Sequence, residues 1–285
     1  MHSYEEVSIV IVSYRSKRKI IKFLKKIYQY KKIIVIENSD DLSIGFDINK
    51  IYKNVEVYHT NNIGYGCSAN YARKKINTEY FFLFNPDLHD IDNKIIETFL
   101  IQAKRLNNNF SCLGPRYDNI SEKTLKQSDI SKEIGYVDSI SGAAMFFNTK
   151  VFDKIGRFDE NIFLYFEETD FCKRGRKINL NSFQLNKIKV RHDVGTAVEY
   201  VDENEKIKIK LLCSWHFIWS KYYFYKKHYG LIVSLIYFFP ILVRSIIKIF
   251  ISKIFKNYSN EEKYKNRING LISSIKGLKS FKRIE

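Results

Sequence analysis

Proline and glycine are scarce in this chain, with 3 Pro and 12 Gly among 285 residues. That scarcity excludes collagen-like, elastic and Pro/Gly-rich low-complexity sequences. Cysteine is scarce too: Cys67, Cys112, Cys172 and Cys213 stand at least 41 residues apart, so no C-x-x-C pair marks a zinc or redox motif. The expectation is a reduced, cytosolic protein rather than a disulfide scaffold. Acidic residues are lacking in one region only. Residues 206–285 hold 3 Asp and Glu against 17 Lys and Arg, whereas residues 1–205 hold 28 against 31. Nearly all of the formal charge of +17 therefore sits in the last 80 residues. This asymmetry predicts a near-neutral body, 1–205, and a basic aromatic region, 206–285. What the chain has in quantity is 22 Phe and 20 Tyr within a 45% hydrophobic composition, enough to build a core and unlike a disordered segment.

The apolar run Val7 to Tyr14 resembles a leader h-region in length, but Glu5 and Glu6 precede it and no small-residue cleavage site follows. It is expected to be a buried strand. Lys17 to Tyr30 then places Ile20, Ile21, Phe23, Leu24 and Ile27 among lysines, the pattern of an amphipathic helix. Buried runs follow at Ile33–Ile36, Val55–Tyr58 and Tyr80–Phe84, with a helix around Cys67 to Lys75. Each strand ends in polar residues. Alternation of this kind predicts an α/β fold with a mostly parallel sheet, whose ligands bind beyond the carboxyl ends of the strands. Ser13, Glu37, Asn62 and Asp87 are placed at that edge.

Three features carry chemistry. Asn85-Pro86-Asp87 ends an aromatic strand and offers a carboxylate to a hard divalent cation, although N-P and P-D pairs are also ordinary turn signals. Glu167-Glu168-Thr169-Asp170 is the densest acidic cluster. Acids favour the first turn of a helix through its dipole, but behind the aromatic run Phe163 to Phe166 a partly desolvated carboxylate is also a usable general base. His192, after a strand at Ile188 to Val190, is the third; a lone His is more often structural than a ligand. Their joint occurrence in this order is the stronger signal.

Over residues 7 to 200 the sequence resembles an inverting nucleotide-sugar glycosyltransferase of family 2 with the GT-A fold, and most resembles its bacterial rhamnosyltransferase-like branch. The resemblance rests on Val7 to Tyr14, Asn62-Ile63-Gly64-Tyr65-Gly66 to Asn70, Phe84-Asn85-Pro86-Asp87, Ser141-Gly142-Ala143 to Phe147, and Gly156 to Cys172. It implies a GT-A nucleotide-sugar-binding domain. By the resemblance, Ser13, Tyr14, Glu37 and Asn38 hold the nucleotide, and Asn62, Gly64 and Asn70 line its pocket with Asn85 nearby. Asp87 matches the last acid of the D-x-D metal motif for Mg²⁺ or Mn²⁺, with His192 beside it. Glu168 matches the general base, with Asp170 in reserve, and Ser141 and Gly142 border the acceptor. Asn85 stands where the first motif acid is usual. Glu168 stands where Asp is usual, which moves the carboxylate outward by about 1.5 Å.

The implied partners are a nucleoside diphosphate sugar, with dTDP-L-rhamnose or a UDP-hexose as donor, and a lipid-linked or polysaccharide acceptor. A catalytically silent nucleotide-sugar-binding scaffold and a nucleotidyltransferase are the alternatives.

In the basic region, Trp215, Phe217, Trp219 and Tyr222 to Tyr225 lie among lysines, ahead of an aliphatic stretch from Leu231. At about 100° per residue, Val243, Ile246, Ile247, Phe250, Ile251 and Ile254 share one arc, and Arg244, Ser245, Lys248, Ser252, Lys253 and Lys256 the other. The expectation is an in-plane helix on an anionic membrane surface at the cytoplasmic face. Leu231 to Ile251 is also long enough to span a bilayer, against which Arg244, Lys248 and Pro240 count. Nucleic acid is not expected, since it has no use for the aliphatic run.

Overall fold

A computed structural model describes residues 3–121 and 125–283. The chain divides into two compact units, Met1–Asp159 with Glu167–Glu199, and Glu160–Phe166 with Tyr200–Glu285. The cut thus falls at 199/200 rather than 205, and seven residues near 160 belong with the C-terminal part.

The first unit is an α/β sheet sandwich. A short helix α1 (Ser3–Glu6) precedes β1 (Val7–Ser13), α2 (Lys17–Ile27), β2 (Ile33–Glu37), α3 (Ser43–Ile51), β3 (Val55–His59), α4 (Tyr65–Arg73) and β4 (Tyr80–Phe84). There follow β5 (Leu88–His89), α5 (Asn93–Arg105), β6 (Leu113–Tyr117), β7 (Ile134–Val137), β8 (Ala144–Asn148), α6 (Thr149–Ile155), α7 (Glu167–Lys177) and β9 (Ser182–His192). Among the described residues the strands run in the order β3-β2-β1-β4-β8-β6-β9-β5, with β7 on β9. The β1–β4 block is parallel, whereas β8 is antiparallel to β4.

Strands buried on both faces read as unbroken apolar runs, which is why β1, β2 and β4 carry so few polar residues. Their alternation splits the core in two. Val7, Ile9 and Ile11 point with Phe82 and Phe84 toward α2, α3 and α5, while Val10, Val12, Phe81 and Leu83 point toward α4, α6 and α7. Because β8 is antiparallel, its start at Ala144 lies opposite Phe84. Ser141-Gly142-Ala143 is thereby brought to the sheet edge where β1, β2 and β4 end.

The second unit contains α8 (Glu203–Tyr229), α9 (Leu231–Ile254) and α10 (Tyr258–Ile275). Helices α8 and α10 run side by side: Trp215 Nε1 donates to Asn269 Oδ1 at 2.7 Å and Ser274 Oγ to the Trp219 carbonyl at 3.0 Å. Gly270 permits this approach, since a Cβ there would meet the Trp215 carbonyl oxygen at 2.6 Å. The loop 160–166 is seated on α8, with the Phe163 ring tilted against that of His216, centroids 4.5 Å apart, and Ser220 Oγ donating to the Leu164 carbonyl at 2.8 Å. Tyr165 and Phe166 at its end both hold left-handed backbone, φ 66° and 71°.

Candidate active site

Ser13 and Glu37 end adjacent parallel strands in register. Glu37 is fully buried, and its carboxylate accepts from Ser13 Oγ at 2.5 Å, from the Arg15 N–H at 2.9 Å and from the Ser39 N–H at 3.1 Å. Three donors converge on one carboxylate, so Glu37 ties the two strand-end loops together. Ser13 and Glu37, expected to hold the nucleotide, are engaged with each other at that edge, and Glu37 shapes the rim from beneath. Asn38 beside it is buried and accepts from Thr60 Oγ1 at 2.6 Å and Ser68 Oγ at 3.0 Å. Tyr14 is half-buried under the Arg15 guanidinium, 5.5 Å from its ring centroid.

The Asn62–Gly64 loop lies at the same edge. Asn62 takes left-handed backbone at φ 46°, and Gly64 at φ 93° caps α4. Asn70, further along α4, turns away from it. Its Nδ2 donates to the Phe158 carbonyl at 3.0 Å and its Oδ1 accepts the Phe158 N–H at 3.1 Å, with both residues buried. A carboxamide engaged at both ends inside the core does not line a ligand pocket, and the donor role expected for Asn70 gives way to a structural clamp. Asn85, half-buried, is fixed through its N–H to the Ala143 carbonyl at 2.9 Å.

Asp87 and His192 do come together. The short pair β5/β9 aligns Leu88 with His192, and the Asp193 N–H donates to the Asp87 carbonyl at 3.2 Å. His192 Nε2 stands 3.2 Å from Asp87 Oδ1, with the Asp87 side chain 1% exposed. Among the described residues neither oxygen of Asp87 has a hydrogen bond. Asn119 holds the His192 backbone from both sides, donating Nδ2 to its carbonyl at 2.9 Å and accepting its N–H at 3.0 Å. A buried carboxylate with unsatisfied oxygens is costly unless a cation completes it. That orphaned pair with a neighbouring imidazole fits a divalent cation. Among the described residues no cluster of three or more His, Cys, Asp or Glu forms a fuller cage, so the remaining ligands would come from substrate oxygens, as suits Mg²⁺ or Mn²⁺.

The acidic cluster opens α7. Glu168 is half-buried and accepts from Thr169 Oγ1 at 2.9 Å, and burial pushes its carboxyl above the ordinary range. Glu167 is buried with Oε2 unpartnered, and desolvation, then the charge of Glu168, raises it further. Asp170 is different. It is completely buried and paired with Arg174 Nε at 2.8 Å, and Arg174 also donates to the Ile155 carbonyl at 2.6 Å. Asp170 therefore anchors α7 to the end of α6, and the reserve role given to it as base has no free carboxylate behind it.

Tyr65 and Tyr117 escaped the sequence reading. Tyr65 donates its hydroxyl to the Gly142 carbonyl at 2.5 Å, and burial, followed by Glu167, Tyr117, Glu168 and Asp87, pushes its pKa well above the usual phenol value. The negative charges of Asp87 and of the α7 acids Glu167 and Glu168 are thus all felt by one phenol, which is tied to Gly142. A further cavity of about 250 Å³ next to Asp87 is lined by Lys19, Lys22, Lys26, His89 and Asp193. His89 Nε2 lies 2.7 Å from Asp193 Oδ2. Nothing in the spacing of these residues marks them as a group, because they meet only when α2, β5 and the end of β9 converge.

No protein-family model matches the chain. Over 214 residues, 66% of this chain and 67% of the relative, it is 25% identical to the low-salt glycan biosynthesis hexosyltransferase Agl10 of Haloferax volcanii. The mannosyltransferase PcManGT of Pyrobaculum calidifontis, solved with GDP-Man and Mn²⁺, superposes at TM-score 0.60 with 10% identity, covering 95% of this chain and 87% of that one. The fold is that of the GT-A glycosyltransferases. TarS 1–349 of S. aureus with UDP gives 0.52 at 13% identity, over 95% and 92% of the two chains. GalNAc-T7 with UDP, GalNAc and Mn²⁺ gives 0.55 at 13% identity over 77% of this chain, which spans 49% of that protein. At such identities these structures speak for the architecture alone.

Proposed function

We propose that this chain is an inverting glycosyltransferase that moves a hexose or L-rhamnose from a nucleoside diphosphate donor to a hydroxyl of a lipid-linked or polysaccharide acceptor. The observation that carries the reading is the orphaned Asp87 carboxylate with His192 at the sheet edge, whose charge is felt by the same phenol as those of Glu167 and Glu168. Between the two donor classes, the name of the Haloferax relative favours a hexose. The reaction belongs, in this reading, at the cytoplasmic face of a membrane.

In the proposed mechanism Glu168 takes the proton from the acceptor hydroxyl as its oxygen attacks the anomeric carbon. The bond from that carbon to the diphosphate oxygen breaks on the opposite face, which inverts the centre. Burial of Glu168 raises its basicity toward the working pH, where a general base is most effective. Tyr65, held by Gly142, walls the acceptor side. Lys22 and His89 lie beside Asp87 and offset charge on the departing diphosphate. When bound at Asp87 and His192, a divalent cation supplies further charge neutralisation to that leaving group.

The test combines a thermal-shift panel of nucleotide sugars, with and without Mg²⁺ or Mn²⁺, and product analysis of Glu168→Gln. A matching donor raises the midpoint by mass action. Glu168→Gln is expected to keep that shift while transfer falls by about 10²–10⁴. Pyrophosphate among the products would turn the reading to nucleotidyl transfer, and donor binding without turnover over a broad acceptor panel would turn it to a silent scaffold.

A further inference from the structure

Helix α9 is the one described helix long and apolar enough to cross a membrane by length and composition. Its packing within the second unit inverts the usual arrangement of an amphipathic helix. The fully buried residues are Ser234, Phe238, Ser245 and Ser252, and Ile241 and Leu242 join them against Ile218, Tyr222 and Leu271 of α8 and α10. The expected polar arc is thus split, because Ser245 and Ser252 face protein while Arg244, Lys248 and Lys253 stay exposed. At about 100° per residue the opposite side collects Ile232, Ile236, Val243, Ile247, Phe250 and Ile254. Their exposures run from 38% at Val243 to 74% at Ile232. An apolar stripe of this length on a monomer marks an interaction site.

We infer that α9 lies flat on an anionic bilayer with this stripe inserted and does not cross it. The inference rests on the proposed membrane-borne acceptor and adds the geometry of docking. Two observations choose the occupant. The helix contains no Asp or Glu, and Arg244 and Lys248 flank the stripe, walling a groove with Phe239, Pro240 and Val243. Cations beside an inserted apolar face match lipid phosphates above acyl chains, which a second copy of this basic surface does not. The inward seam, from Ser234 to Ser252, decides between lying and spanning. Its partners α8 and α10 expose Lys208, Lys210, Lys226, Lys227, Glu262, Lys263 and Lys265. A transbilayer α9 would have to shed these partners or carry their charges into hydrocarbon, and an in-plane α9 does neither.

The experiment uses the full chain with Cys67→Ser and Cys213→Ser, leaving the buried Cys112 and Cys172. Single nitroxide labels at Ile236→Cys, Val243→Cys, Phe250→Cys and Lys263→Cys are read for depth in phosphatidylcholine vesicles with and without phosphatidylglycerol. The three stripe labels are expected at one shared depth of about 5–10 Å, with Lys263→Cys in water. Arg244→Gln with Lys248→Gln is expected to weaken binding to phosphatidylglycerol vesicles by on the order of tenfold to thirtyfold. A depth difference approaching about 21 Å between positions 236 and 250 would mean spanning and overturn the inference. Vesicle-independent label immobilisation with a concentration-dependent mass would overturn it in favour of a second copy. Donor hydrolysis measured without vesicles stays separate: turnover without docking removes only this inference, and docking without turnover removes only the catalytic reading.

Discussion

Asn70→Ala separates a structural clamp from a donor contact. Removal of the carboxamide leaves the Phe158 N–H and C=O buried and unpartnered, because the 3.0 and 3.1 Å bonds to Asn70 are lost together. Each orphaned buried group costs about 1–3 kcal/mol, so the loss is about 2–6 kcal/mol. For a unit approaching 200 residues each kcal/mol lowers the unfolding midpoint by about 2–4 °C, which places the expected drop on the order of 5–20 °C. Circular dichroism melts read this directly, and titration with donor nucleotide at low temperature, where the variant is folded, reads the binding. Asn70→Asp retains the acceptor for the Phe158 N–H and is expected to lose only part of the stability. An unchanged midpoint with weakened donor binding in Asn70→Ala would refute the clamp and return Asn70 to the nucleotide pocket.

Two further outcomes follow from the acids of α7. Asp170→Asn removes the buried negative charge opposite Arg174 and is expected to cost about 3–5 kcal/mol in a denaturant titration, with the acid limb of the activity profile unmoved. Because burial raises the Glu168 carboxyl, its active ionised form is lost as pH falls through a point above the usual value of about 4.3. The kcat/KM profile should therefore decline on the acid side at a higher pH than an exposed glutamate would give, and a limb at the ordinary carboxylate value would remove Glu168 as the base.

The strands were legible because a strand buried on both faces must be written in unbroken apolar letters, as Ile33 to Ile36 and Tyr80 to Phe84 are. The positions of their polar ends followed from that alone. The direction in which a polar side chain turns did not follow, since Asn70 and Asp170 are satisfied by partners 88 residues and one helical turn away. In a chain with 20 tyrosines, Tyr65 and Tyr117 carry no local signal; only the approach of α4, β6 and the Gly142 loop singles them out. The two arcs of α9 were visible in the periodicity, but which of them meets protein depends on α8 and α10.

The excursion at residues 160–166 bears on how the protein is made. Phe163, Leu164 and Phe166 leave the ribosome 53–58 residues ahead of His216, Ser220 and Phe224, the groups that seat them. At about 5–20 residues per second the loop waits seconds for its partners, holding apolar side chains in water directly before Glu167 and Glu168. A chain cut near residue 205 makes that wait permanent. Such a truncation deprives the segment leading into α7 of its support as well as removing the basic helices, so inactivity in it would report a misplaced acid as readily as a lost membrane contact. Substitutions confined to the outer face of α9 avoid that confusion.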